Sequence, residues 1–197
     1  MVNLNLDDNY LPTGHFDLTT ELARLRMAAQ DGAVPAEFLA MVRHLVDEQI
    51  KAKLTDQSVS VGDPAPRFTL PNATGNHVSL DHLLAAGPAV VSFYRGTWCV
   101  FCNTELRAMQ LHQREFTELG ASLVAISLQT PDNSLSTAQK NKLTFEVLSD
   151  VGGAVSRSYG LLYDVPEELG SVFIKRGYPL SEVNGSEGRA LPVPATF

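Results

Sequence analysis

The stretch that decides the fold is Ala89-Val90-Val91-Ser92-Phe93-Tyr94, running into Arg95-Gly96-Thr97-Trp98-Cys99-Val100-Phe101-Cys102. Its first six residues form a nearly continuous apolar run, the pattern of a strand buried on both faces of an open α/β sheet. After Cys102 the spacing of Leu106, Met109 and Phe116 predicts a helix to about Leu119, with Gly120 as its stop. The two cysteines therefore stand where a buried strand ends and a helix begins.

Working outward, Ser122 to Leu128 reads as a second buried strand, Pro131 to Lys142 as a helix, Phe145 to Leu148 as a short strand and Ala154 to Tyr159 as a short helix. Strands alternating with helices give an α/β domain with a mainly parallel sheet. Upstream, Arg67 to Leu70 and His77 to Leu80 flank the turn sequence Pro71-Asn72-Ala73-Thr74-Gly75-Asn76, a hairpin signal, and Ser79 caps a short helix ending near Gly87. The proline-punctuated segment Ser58 to Pro66 marks a boundary, so the expected division is a helical extension over 1–57 and a sheet domain over 58–197. In the extension, Leu22, Leu25 and Ala29 predict a helix stopping near Gly32. A second helix starts at Pro35 and carries Phe38, Val42, Val46, Ile50 and Leu54 on one face. Leu39, Met41 and Leu45 widen that face, which serves packing onto the following domain or a subunit contact.

The chain has 197 residues, 44% hydrophobic and 19% charged, with a net charge of −7. Composition of this kind belongs to folded domains and leaves no excess of cations for nucleic acid or anionic membranes, so small molecules and proteins are the expected partners. The start, Met1 to Asp8, has neither the basic flank nor the apolar stretch of a secretory signal, and no apolar run approaches the roughly 20 residues of a membrane helix. The expected compartment is the cytoplasm.

Two cysteines three apart, in a reducing compartment, point to redox chemistry or metal binding rather than to a disulfide framework. Zinc needs about four ligands and one Cys-x-x-Cys supplies two. His112 lies too far along the helix, and His15, His44, His77 and His82 form no ligand spacing. Neither metal nor cofactor is expected. At a helix start, unpaired N–H groups and the helix dipole stabilise a thiolate, and Arg95 can add a full positive charge. Such a thiolate attacks a peroxide oxygen or a disulfide sulfur, and the second thiol resolves the product.

From Val61 to about Leu162 the chain resembles the peroxiredoxin and alkyl hydroperoxide reductase family of the thioredoxin-like fold. The resemblance is carried by Val61-Gly62-Asp63-Pro64-Ala65-Pro66-Arg67-Phe68-Thr69-Leu70, by Val91-Ser92-Phe93-Tyr94 leading into the cysteines, and by Phe145-Glu146-Val147-Leu148-Ser149-Asp150. The preceding helices are similar to those of a peroxiredoxin-like subgroup with Trp-Cys-x-x-Cys. The resemblance implies a thioredoxin-like sheet flanked by helices and a thiol-dependent peroxide reductase in which Cys102 attacks hydrogen peroxide or an organic hydroperoxide and Cys99 resolves. Arg95 assists, Trp98, Thr97 and Pro194 contact substrate, a thioredoxin-type or glutathione-type thiol recycles the disulfide, and the assembly is a possible homodimer. The family pattern has proline and threonine where Arg95 and Cys99 stand, and arginine where Pro194 stands. Val193-Pro194 instead resembles the cis-proline facing the cysteines of thioredoxins.

Two other readings compete. In a thioredoxin-like thiol-disulfide oxidoreductase, Cys99 attacks and Cys102 resolves. A non-catalytic interaction or holdase module would use the apolar face of Phe38 to Leu54. A copper-delivery protein is disfavoured because no histidine follows His112. At the carboxyl end, Ala195-Thr196-Phe197 is expected to lie beside Ala89 to Tyr94. Relatives continue further there, so the chain reads as truncated and part of that strand edge is expected to need cover from another chain or segment.

Overall fold

A computed structural model describes residues 16–197. The readings made on Met1 to Asp8 and on His15 fall outside these residues. The extension begins with α1 (Leu18–Ala28), whose start is fixed by the Asp17 carboxylate accepting the Thr20 N–H at 2.6 Å. A wide turn over Ala29–Ala33, with Gly32 at φ 99°, reverses the chain into α2 (Ala36–Lys51).

The sheet domain follows. Strands β1 (Thr69–Pro71) and β2 (His77–Ser79) form an antiparallel hairpin whose turn is held by Asn72 Oδ1, which accepts the N–H groups of Thr74 and Asn76. Ser79 then caps α3 (Leu80–Ala86) by accepting the His82 N–H at 3.1 Å. The central sheet contains β3 (Ala89–Phe93), β4 (Ser122–Ser127), β5 (Glu146–Ser149) and β8 (Ala195–Thr196), in the order β5-β4-β3-β8. The first three are parallel and β8 is antiparallel to β3. Between them run α4 (Val100–Leu111), α5 (Gln113–Glu118), α6 (Pro131–Asn141) and α7 (Ala154–Ser158).

Alternation along the strands splits the core in two, as side chains on a pleated strand must point to opposite faces. Val91, Phe93, Val124, Ile126 and Leu148 meet Leu80, Phe68 and Tyr159 on one face. Tyr94, Leu123, Ala125 and Val147 meet Cys102 and Leu106 of α4 on the other. The strands thus need two apolar layers, which explains their unbroken apolar reading. The α/β architecture, a mainly parallel sheet flanked by helices, is as expected from that reading and agrees with the thioredoxin-like fold that the resemblance implies.

A third apolar cluster lies where the sequence reading stopped. Residues 162–192 fold into β6 (Leu162–Asp164), α8 (Glu167–Lys175), α9 (Leu180–Asn184) and β7 (Ala190–Pro192), with β6 and β7 antiparallel. Val165, Leu169, Phe173, Leu180 and Leu191 are buried there, and Phe38, Met41, Val42 and Leu45 of α2 pack against them. The inner part of the wide α2 face therefore serves the following domain, while Val46 and Ile50 stay 45% and 69% exposed.

Several expectations are corrected. Pro35 precedes the helix as its cap instead of occupying its first turn, and α2 ends at Lys51, so Leu54 sits in a separate short turn after the left-handed Lys53. The helix after the cysteines starts at Val100, which makes Cys99 its cap, and it breaks at His112. The Val193–Pro194 bond is trans, since no cis peptide occurs among the described residues. As expected, by contrast, the terminal residues lie along part of the β3 edge: Phe93 and Ser92 face Ala195 and Thr196, and Val91 and Phe197 exchange both backbone hydrogen bonds at 3.0 Å.

Asp150 ties β5 to α7. Its carboxylate accepts the Val155 N–H at 3.1 Å, and the Ser156 N–H and hydroxyl at 2.7 and 2.8 Å, while it is only 2% exposed. Asp150→Ala should cost about 2–3 kcal/mol in urea unfolding, because buried donors lose a shared acceptor. Burial pushes the Asp150 carboxyl up, against the hydrogen bonds from Ser156 and Val155. The folded state then holds its proton more tightly, so the group's favourable contribution is complete below the ordinary carboxyl range and fades as pH rises through the raised value. The stability of the native protein relative to Asp150→Asn should fall in that direction, and unfolding at a series of pH values checks it.

Candidate active site

The site is built by the turn between β3 and α4. Both backbone groups of Thr97 are taken by buried side chains: its N–H donates to Gln129 Oε1 at 2.9 Å and its carbonyl accepts from Asn103 Nδ2 at 2.7 Å. Asn103 is in turn held by Asn141 Nδ2 at 2.7 Å. The Thr97 hydroxyl joins Thr137 and Gln129. Gly96 has φ 152°, and a Cβ there would lie 2.7 Å from Trp98 Nε1, so close approach of the indole requires glycine.

Anchored this way, the turn presents Cys99 as the cap of α4. Cys99 and Cys102 form a disulfide, with Cα atoms 5.3 Å apart, and both are almost fully buried. The Cys99 sulfur accepts the Cys102 N–H at 3.3 Å and is approached by Arg95 Nη2, also at 3.3 Å. In the oxidised form this sulfur marks the place of the thiolate after reduction, where helix dipole, N–H group and guanidinium all favour negative charge. Arg95 also lies 5.9 Å from the Trp98 ring and faces Tyr163. Burial pushes the Tyr163 hydroxyl up, and the Arg95 charge and hydrogen bond oppose this.

A cavity of about 190 Å³ opens beside Cys99. Arg95, Trp98 and Cys99 line it from the sheet domain, together with Phe173, Arg176 and Tyr178, and the far wall comes from α1 and α2. Trp98 stacks edge-on against Phe173 at 4.7 Å. Of the residues singled out in the sequence, Arg95, Trp98, Cys99 and Cys102 are brought together. Thr97 turns inward to the polar network instead of lining the cavity. Pro194 lies exposed between β7 and β8 and does not line it either. The expected cis geometry is thus absent, while Pro194 directly precedes Ala195, which pairs with Phe93 at the end of β3.

The sequence reading missed Gln129, Asn103, Phe173 and Arg176. For Phe173 a signal existed, since Leu169 and Phe173 repeat at helical spacing after Pro166. For Gln129 and Asn103 none did, because isolated amides carry no periodicity. Among the described residues no group of three or more His, Cys, Asp or Glu could hold a metal ion, and no helix is long and apolar enough to cross a membrane.

A mainly parallel sheet delivering a Cys-x-x-Cys to the start of a helix defines a dithiol redoxin of the thioredoxin-like class. The chain matches the AhpC/TSA family over residues 61–197 and belongs to it. Peroxiredoxin Q, chloroplastic, of Gentiana triflora is 32% identical over 107 residues, 54% of this chain and 49% of that protein. The thiol-disulfide oxidoreductase ResA of Bacillus thuringiensis is 25% identical over 133 residues, 67% of this chain and 74% of that protein. Peroxidoxin BcpB from Mycobacterium tuberculosis has a similar structure, with TM-score 0.55 and 27% identity, covering 69% of this chain and 75% of that one. The chain spans about half the length of the plant relative.

The cap geometry implies that the Cys99 thiol ionises below the ordinary value of about 8.5. In Cys102→Ser, iodoacetamide alkylation should rise with pH through that lowered value, and adding Arg95→Gln should move the midpoint upward. Titration of the alkylation rate between pH 5 and 10 measures both, and an unmoved midpoint would remove Arg95 from the site.

Proposed function

We propose that this protein is a thiol-dependent peroxide reductase working through a Cys99–Cys102 dithiol/disulfide cycle, with residues 58–197 as the redoxin domain and 1–57 as its helical extension. The observation that carries this reading is the Cys99 sulfur at the start of α4, beside the Arg95 guanidinium and open to the cavity. Membership of the AhpC/TSA family and the likeness to peroxiredoxins support it.

The first step is attack of one thiolate on the terminal peroxide oxygen. The O–O bond breaks, the sulfur becomes a sulfenic acid, and the departing alkoxide or hydroxide takes a proton to leave as alcohol or water. The second thiol then attacks the sulfenic sulfur, the disulfide forms and water leaves. Two electrons and two protons from a thioredoxin-type dithiol, or from two glutathione-type thiols, restore the pair. The cytoplasm, where such reductants hold thiols reduced, is the proposed compartment. A homodimer through the exposed outer face of α2, at Val46 and Ile50, is the proposed assembly.

The resemblance assigned the first attack to Cys102. The contacts favour Cys99, because Arg95 and the α4 amide both point at its sulfur, and Cys99 but not Cys102 lines the cavity. The same placement supports a second reading, a thiol-disulfide oxidoreductase, consistent with the likeness to ResA. There Cys99 attacks a disulfide sulfur, a mixed disulfide forms, and Cys102 releases it.

Incubating the reduced protein with equimolar hydrogen peroxide and following Trp98 fluorescence separates the two. Rapid oxidation supports the peroxidase, whereas slow oxidation with fast insulin-disulfide reduction supports the oxidoreductase. Cys99→Ser should abolish the first oxidation. Cys102→Ser should stop at sulfenic acid without turnover, detected by mass spectrometry as one added oxygen. The reverse pattern would return the attack to Cys102.

A further inference from the structure

We propose that the α1–α2 hairpin is the substrate-selecting wall of this site, and that Val34, Phe38 and Leu39 favour compact apolar hydroperoxides, aryl or branched alkyl, over hydrogen peroxide. The proposal rests on the peroxidase reading. Both helices lie outside residues 61–197, the part of the chain that matches the family, so this wall is an addition to the domain.

The cavity beside Cys99 is the point where the addition meets the chemistry. Its lining is mostly apolar, with Arg95, Arg176, Tyr178 and Cys99 among the residues that add polar groups. Phe38 is fixed in it from two sides: its ring meets Phe173 edge-on at 6.1 Å, and Arg176 lies 4.4 Å over its face. Phe173 leans in turn on Trp98, the residue before Cys99. A continuous aromatic row therefore runs from the hairpin to the reacting sulfur. Val34 is buried and Leu39 half-buried on the same wall.

Size and polarity both point to one kind of occupant. At about 190 Å³ the space is smaller than the roughly 300–1,000 Å³ of sites for drug-sized ligands, and somewhat larger than the roughly 150 Å³ apolar cavity that holds benzene. It suits one ring or a branched alkyl group. Hydrogen peroxide has nothing to fill the apolar wall, whereas an aryl or branched alkyl hydroperoxide fills it and brings its oxygens to the Cys99 sulfur. Selection then follows from apolar surface removed from water on the hairpin.

The test uses cumene hydroperoxide, hydrogen peroxide and 2-phenyl-2-propanol, the alcohol that cumene hydroperoxide leaves. Trp98 is the sole tryptophan and lines the cavity, so its fluorescence reports occupancy without turnover. The alcohol should bind saturably to the full chain and at least tenfold more weakly to Val34→Phe, in which the added ring fills the space. The ratio of kcat/KM for cumene hydroperoxide to that for hydrogen peroxide should fall at least tenfold in the same variant. Leu39→Phe, at a half-exposed position that can take added volume, replaces it if Val34→Phe melts early. Equal alcohol affinity in native and filled proteins, or an unchanged kcat/KM ratio, overturns the proposal. A native protein that oxidises with neither peroxide, yet binds the alcohol and loses that binding in the filled variants, overturns the peroxidase reading and leaves the hairpin as the wall of an apolar-ligand site.

Discussion

The active turn stands on two hydrogen bonds to the backbone of Thr97, one accepted by the Gln129 side chain and one donated by Asn103. A strand that leaves a sheet and enters a helix must abandon its ladder partners, and buried backbone groups left without replacement would cost about as much as a lost hydrogen bond each. Amides can serve both roles because each carries an acceptor and donors in one plane. With Thr97 held, Trp98 turns toward α8 and Cys99 becomes the cap of α4. The cap position then puts the Cys99 sulfur on the N–H of Cys102 and within reach of Arg95. The reactive geometry therefore depends on residues that take no part in the chemistry.

The extension and the 162–192 segment form a second level of organisation. They share one apolar cluster: α2 has no fully buried residue and packs on the buried Val165, Leu169, Phe173, Leu180 and Leu191, with Phe38 and Trp98 against the Phe173 ring. Their shared cluster encloses space beside the disulfide that an isolated sheet domain would leave open to water. Excluding water matters to a thiolate nucleophile, since the charge on Arg95 acts more strongly where the surroundings are less polar. The same cluster carries a cation over Phe38, where the guanidinium of the exposed Arg176 lies 4.4 Å from the ring centre.

The substitution pattern at the site is coherent with this packing. Where relatives in the resembling family carry proline and threonine, the chain has Arg95 and Cys99, and these two side chains contact each other. The arginine that the family places near the last strand has no counterpart at Pro194, which is exposed.

Residue order alone determined the central sheet, the hairpin before it and the position of the Cys-x-x-Cys at a helix start. Those features rest on local periodicity: a strand buried on both faces reads as an apolar run, and Gly, Pro and Asn mark the turns by their own backbone preferences. The pairing of Arg95 with Cys99 was also legible, since four residues of sequence limit how far apart they can be. Most of the segment between Leu162 and Leu191 was not legible, because β6, β7 and α9 are three to five residues long, too short for a period to declare itself, and only α8 carries one, through Leu169 and Phe173. Only the tertiary structure decided that Pro194 is trans and does not line the cavity, that Thr97 faces the interior and that α2 walls the cavity. Each of these depends on which surface meets which across a long stretch of chain, and a linear pattern shows that an apolar face must be buried without showing against what.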